Sequence, residues 1–84
     1  MYEVLFERRA ERDLRSLPDS VANRVVTAIR SLATHPRPSG CRKLVGGENA
    51  WRIRVGDYRI IYEVDDPSRR VHIMFIRHRR EAYR

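Results

Sequence analysis

The chain has 84 residues, which allows one domain with a small core and leaves no room for a second. Its 18 basic residues exceed the 11 acidic ones by +7, and every base except Lys43 is an arginine, a surplus that favours forked contacts to phosphate over mere solubility. The lone Cys41 excludes an internal disulfide, and His35, His72 and His78 lack ligand spacing with one another or with Cys41, so neither a metal site nor a cofactor is expected.

The N-terminal stretch M-Y-E-V-L-F-E-R-R has too short an apolar run for a signal peptide, and no later window approaches a membrane span, so a soluble, cytoplasmic protein without a membrane partner is expected. Tyr2 to Phe6 reads as a first strand with Tyr2, Val4 and Phe6 on one face. The period then changes: Arg8 to Leu17 is helical, with Ala10, Leu14 and Leu17 on one side and Arg8, Arg12 and Arg15 on another. That arginine stripe is read as a solvated face, helped by Glu11 four residues before Arg15, with nucleic-acid contact as its alternative.

Pro18 ends the first helix and suits the first turn of a second, in which Val21, Val25, Ile29 and Leu32 recur at helical spacing to about His35. The two should form a helical hairpin. H-P-R-P-S-G-C then stops the helix and makes an irregular loop. Beyond it lie +5 of the net charge, against +2 for residues 1–41, so the cationic bias belongs to the strand-rich part.

Lys43 to Val45 is expected as a short strand, turned at Gly46-Gly47-Glu48-Asn49 into W-R-I-R-V-G-D-Y-R-I-I-Y-E, residues 51–63. This segment reads as two strands joined at Gly56-Asp57, where a two-residue hairpin needs a positive φ at its first position. Period 2 puts Trp51, Ile53 and Val55 on one face and Arg52 and Arg54 on the other. In the next strand Tyr58, Ile60, Tyr62 and Val64 oppose Arg59, Ile61 and Glu63. If the apolar sets share a core, Arg52, Arg54 and Arg59 share the opposite surface. Asp65-Asp66-Pro67-Ser68 makes the next turn. Val71 to Ile76 is the last strand, with Val71, Ile73 and Phe75 as one apolar set, and with Met74 and Ile76 making the other face apolar too. The expected fold is α+β: an N-terminal strand and a helical hairpin packed on a mainly antiparallel, four- to five-stranded twisted sheet, in one domain over residues 1–84.

The candidate site residues are Arg52, Arg54, Arg59, Arg77, His78, Arg79, Arg80 and Tyr83, with Glu63 as the acid within the patch. Cleaving RNA without a metal requires removing the 2′-hydroxyl proton, relieving charge on the five-coordinate phosphorus and protonating the departing 5′-oxygen. Arginine suits the second task, and with a pKa above about 12 it suits the other two poorly. Tyr83, His78 and Glu63 are the proton handlers on offer. Each also has an ordinary reading: Tyr83 as a frayed terminus or a ring stacked on a base, His78 as a surface or capping residue, and Glu63 as the partner of an adjacent arginine.

K-L-V-G-G-x-x-x-W-R-I-R-V-G-D-Y-R-I-I-Y-E-V-D-D, followed by a strand and H-R-R-E-A-Y, resembles the RelE family of bacterial and archaeal toxins over essentially the whole chain, most strongly from Leu44 to Tyr83. The resemblance implies an endoribonuclease that enters the ribosomal A site and cleaves messenger RNA there, until a cognate antitoxin wraps and silences it. Carried over, it casts Arg59 and Arg77 as holders of the scissile phosphate and Tyr83 as a group that orients or stacks on the nucleotide and moves a proton. Arg52 and Arg54 fall on the family's paired basic positions, with His78, Arg79 and Arg80 as further RNA contacts. Well-known members carry lysines at the paired positions, and a lysine can be tuned into a base, whereas Arg52 and Arg54 are cast as phosphate clamps. ParE toxins share much of W-R-I-R-V-x-x-Y-R-I-I-Y and act on DNA gyrase; they give the second reading, and a non-catalytic nucleic-acid-binding domain gives the third.

Overall fold

The computed structural model describes residues 1–80. Seven elements follow in order: β1 (Glu3–Phe6), α1 (Arg8–Arg15), α2 (Asp19–Ser31), β2 (Arg42–Lys43), β3 (Ala50–Val55), β4 (Tyr58–Asp65) and β5 (Arg70–His78). The strands form one sheet in the order β1-β5-β4-β3-β2, with β1 parallel to β5 and every other pair antiparallel. The helical hairpin carries the chain from one edge of the sheet to the other, and a meander through β3 and β4 brings β5 back beside β1. The α+β architecture expected from the sequence is the one observed.

Ser16, Leu17 and Pro18 join the helices, and Pro18, at φ −57, immediately precedes α2, where a missing N–H costs nothing. The second helix stops at Ser31 rather than near His35. Leu32, Ala33 and Thr34 donate to the carbonyls of Ile29, Arg30 and Ser31, three residues back, which tightens the turn that closes the helix. Ala10, Val25, Ile29 and Leu32 from the helices meet Ile53, Ile60, Tyr62, Val64, Val71, Ile73 and Ile76 from one sheet face. Each of the larger side chains contributes about 1.5–3 kcal/mol by leaving water. Tyr62 is fully buried yet satisfied, because its hydroxyl donates to the Pro36 carbonyl at 2.8 Å, and burial pushes its phenol well above the ordinary range.

Alternation in β3 and β4 sorts as expected, with Trp51 opposite Tyr62, Ile53 opposite Ile60 and Val55 opposite Tyr58. Gly56 has φ +59 at the first position of the hairpin turn. The last strand differs. Its register shifts at Ile61/Tyr62, so that Tyr62 faces Ile73 while Ile61 faces Phe75, and Met74 is the extra residue of a bulge. Phe75 therefore leaves the apolar set of Val71 and Ile73, and Ile76 takes its place in the core. The short strand before the 46–49 turn is Arg42–Lys43 rather than Lys43–Val45, and Val45 is fully exposed.

Candidate functional site

The face of the sheet away from the helices carries the arginines. In β3, Arg52 and Arg54 alternate with core residues, and the cross-strand register aligns Arg54 with Arg59 and Arg59 with Arg77. Arg54, Arg59 and Arg77 thus form one row across three strands. A second row runs Arg42, Arg52, Ile61, Phe75. Directly opposed Cβ atoms lie about 4.5–5.5 Å apart. Guanidiniums brought that close would repel by about 3 kcal/mol at an effective dielectric near 20, so the charged ends of such a row favour spreading apart or meeting opposite charge.

The bulge decides that Arg77 belongs to this row. With unbroken alternation from Val71 it would point at the helices; the extra residue turns it to the arginine face and sends His78 the other way, opposite Tyr58. The His78 and Tyr58 rings meet edge to face at 5.1 Å, and His78 Nδ1 accepts the Arg80 N–H at 3.3 Å. His78 is therefore not brought to the arginine face. Arg79 and Arg80 are exposed at the end of β5, and Arg79 sits against the β3–β4 turn, its N–H on the Asp57 carbonyl at 2.6 Å and its guanidinium 3.9 Å from the Asp57 carboxylate. Tyr83 lies outside the described residues.

Arg42, Arg52, Arg54 and Arg59, with Gly40, line a concavity of ≈ 370 Å³ on this face. Arg42, Arg52 and Arg54 have no carboxylate within 4.0 Å among the described residues, and Arg54 donates its Nε–H to the Gly56 carbonyl at 2.9 Å, which holds it to its own hairpin. Arg77 is partly covered. One of its Nη atoms is 3.7 Å from Asp13, and its guanidinium lies 5.1 Å from the Phe75 ring, which Arg9 of α1 also approaches, at 4.8 Å. Glu63, expected beside an arginine, instead faces Ala50 and His72 across the sheet. The carboxylate that meets Arg77 is Asp13. On α1, Arg15 pairs with Glu11 at 3.7 Å in full solvent, as a solvated face would have it.

Sequence reading missed Arg42, Arg9 and Asp13. The strand placed at Lys43–Val45 left Arg42 in the loop, although starting one residue earlier would have put it in register with Arg52. Arg9 and Asp13 reach β5 from 66 and 63–64 residues away, and local pattern carries no signal of that. Among the described residues no cluster of His, Cys, Asp or Glu could hold a metal ion, and no helix is long and apolar enough to cross a membrane. Chemically the face offers charge neutralisation and forked donors to an extended row of phosphates.

A family model described as the ParE toxin of the type II toxin-antitoxin system parDE matches residues 4–83. The chain is 37% identical over 87 residues to toxin RelG of Mycobacterium tuberculosis, covering 99% of this chain and 97% of that protein. It is 34% identical over 84 residues to toxin RelE of the same organism, covering 99% and 87%. Among solved structures, the archaeal RelE-RelB complex from Pyrococcus horikoshii matches with a TM-score of 0.83 at 29% identity, over 93% of this chain and 94% of that one. The RelBE2 toxin-antitoxin complex of M. tuberculosis matches at 0.79 and 31% identity, over 92% and 96%.

Proposed function

The chain belongs to the RelE/ParE family of toxins from type II toxin-antitoxin systems, and from that premise we propose that it is a RelE-like endoribonuclease that cleaves messenger RNA in the ribosomal A site. The observation that carries this reading is the row Arg54, Arg59, Arg77 on an open sheet face beside Arg42 and Arg52. In this reading Arg59 and Arg77 grip the scissile phosphate and take up the charge that grows on its oxygens. Arg52 and Arg54 clamp neighbouring phosphates, with Arg79 and Arg80 as outlying contacts. Tyr83 orients the nucleotide and moves a proton, a task that permanently charged guanidiniums cannot perform. The chemistry needs no metal ion or cofactor. A cognate antitoxin silences the toxin, as the RelB-bound relatives suggest, and the protein works in the cytoplasm where ribosomes are.

The second reading, inhibition of DNA gyrase, is favoured by one observation: the matching family model bears the ParE name. One experiment separates them. Purified protein is given a message on translating ribosomes, and separately gyrase with relaxed DNA. Cleavage within the A-site codon with supercoiling intact is the expected result; an intact message with blocked supercoiling would overturn it.

A further inference from the structure

We propose that Asp13 is a positioning residue for Arg77, an inference that rests on reading the open face as a phosphate site. Along β5, strand β1 reaches only as far as the pairing of Phe6 with Ile73, after which the Glu7 N–H closes the ladder on the Ile73 carbonyl at 2.9 Å and the chain turns into α1. Among the described residues no strand pairs with the rest of that edge, and α1 lies there instead. Asp13 uses its two carboxylate oxygens for different things. Oδ2 accepts the Ile76 N–H at 3.0 Å, satisfying a backbone donor that the missing strand leaves open. Oδ1 faces the Arg77 guanidinium at 3.7 Å, with both side chains about one-fifth exposed (23% and 21%).

Arg77 is thereby held between a carboxylate on a helix and the Phe75 ring on its own strand, 5.1 Å away. A long, rotamer-rich side chain is confined before any phosphate arrives, so less conformational entropy remains to be lost on binding. A carboxylate that merely neutralised Arg77 would do the opposite and weaken the site. The sign of the effect tells the two apart.

Asp13→Asn keeps an oxygen for the Ile76 N–H and removes the charge. The test is a double-mutant cycle with Arg77→Ala, read as single-turnover cleavage of a message on programmed ribosomes together with melting temperature. The expected result is a loss of rate of about tenfold for Asp13→Asn, although the protein becomes more cationic, and no further loss in the Arg77→Ala background. Equal losses in both backgrounds would make Asp13 a structural residue only, and an unchanged or faster rate would make it a neutraliser; either overturns the proposal, whether or not the melting temperature moves. If the wild type cleaves no message, the nuclease reading falls by itself, and the same cycle is read on affinity for a 2′-deoxy-substituted single-stranded RNA. Weaker binding by Asp13→Asn only when Arg77 is present then supports the positioning role, and unchanged or tighter binding overturns it.

Discussion

Arg37, at the base of the sheet, and Arg52, on its open face, are the same side chain under opposite conditions. Arg37 makes a two-pronged contact with Asp66, at 2.7 and 3.3 Å, and lies 5.1 Å from the Trp51 ring; Asp66 also accepts the Tyr2 hydroxyl at 2.5 Å. That circuit ties the start of β1, the loop after α2 and the β4–β5 turn together. It also holds the Asp66 carboxyl below its ordinary range, through the Arg37 bonds first and the Tyr2 bond second, and raises the Tyr2 phenol, chiefly through its bond to Asp66. Arg52, like Arg42 and Arg54, has no carboxylate in reach among the described residues. Arg37, with its acid in place, fastens the fold, whereas Arg52 carries a charge that no carboxylate among the described residues answers. Arg77 stands between these cases, held by Asp13 at one side of its guanidinium.

The largest expected effect breaks this contrast if it fails. Arg59→Ala should lower cleavage of a message on ribosomes by about 10²–10³-fold, the usual cost of removing one donor to a developing oxyanion, while Arg37→Gln leaves the rate near wild type. Equal losses would mean that both arginines act through the fold. Next in size is a difference between neighbouring residues on opposite faces. Ile60 is fully buried opposite Ile53 and Ile76, so Ile60→Ala should cost about 2–5 kcal/mol in urea unfolding. Ile61, one step along on the arginine face, should cost less than half as much, and equal costs would mean that the open face is covered. The smallest effect lies at the base. Because the folded carboxyl of Asp66 is depressed, its contribution is fully present above the ordinary carboxylate pKa and is lost as pH falls through the lower folded value. The melting-temperature difference between wild type and Arg37→Gln should therefore be constant near neutrality and shrink in acid; a difference that persists through the acid range would mean that Asp66 is not its source.

How far the sequence reached depended on whether the ladder was regular. In β3 and β4 the pairing is unbroken, so period 2 alone placed Arg52, Arg54 and Arg59 opposite Ile53, Ile60 and Tyr62. The α2 stripe was legible for the same reason at period 3.6. In β5 the bulge at Met74 adds one residue, and a single addition reverses every side chain after it. Alternation therefore grouped Phe75 with Val71 and Ile73 while leaving the other face apolar too, and it gave no face to Arg77 or His78, which were candidates by charge and position until the resemblance cast Arg77 beside Arg59. The two residues of β2 are too few to show any period, which hid Arg42. Asp13 was invisible because its partners, Ile76 and Arg77, are brought to it by the fold and by nothing in its own segment.

The most direct measurement is the salt dependence of binding to single-stranded RNA, made on the wild type, on Arg52→Ala/Arg54→Ala and on Arg37→Gln. The expected plot of log affinity against log salt is steep for the wild type, shallower by about 1.4 for the loss of two phosphate contacts on the open face, and unchanged for Arg37→Gln. A flat wild-type line, or the same slope for the wild type and the double variant, would contradict an anion-binding face.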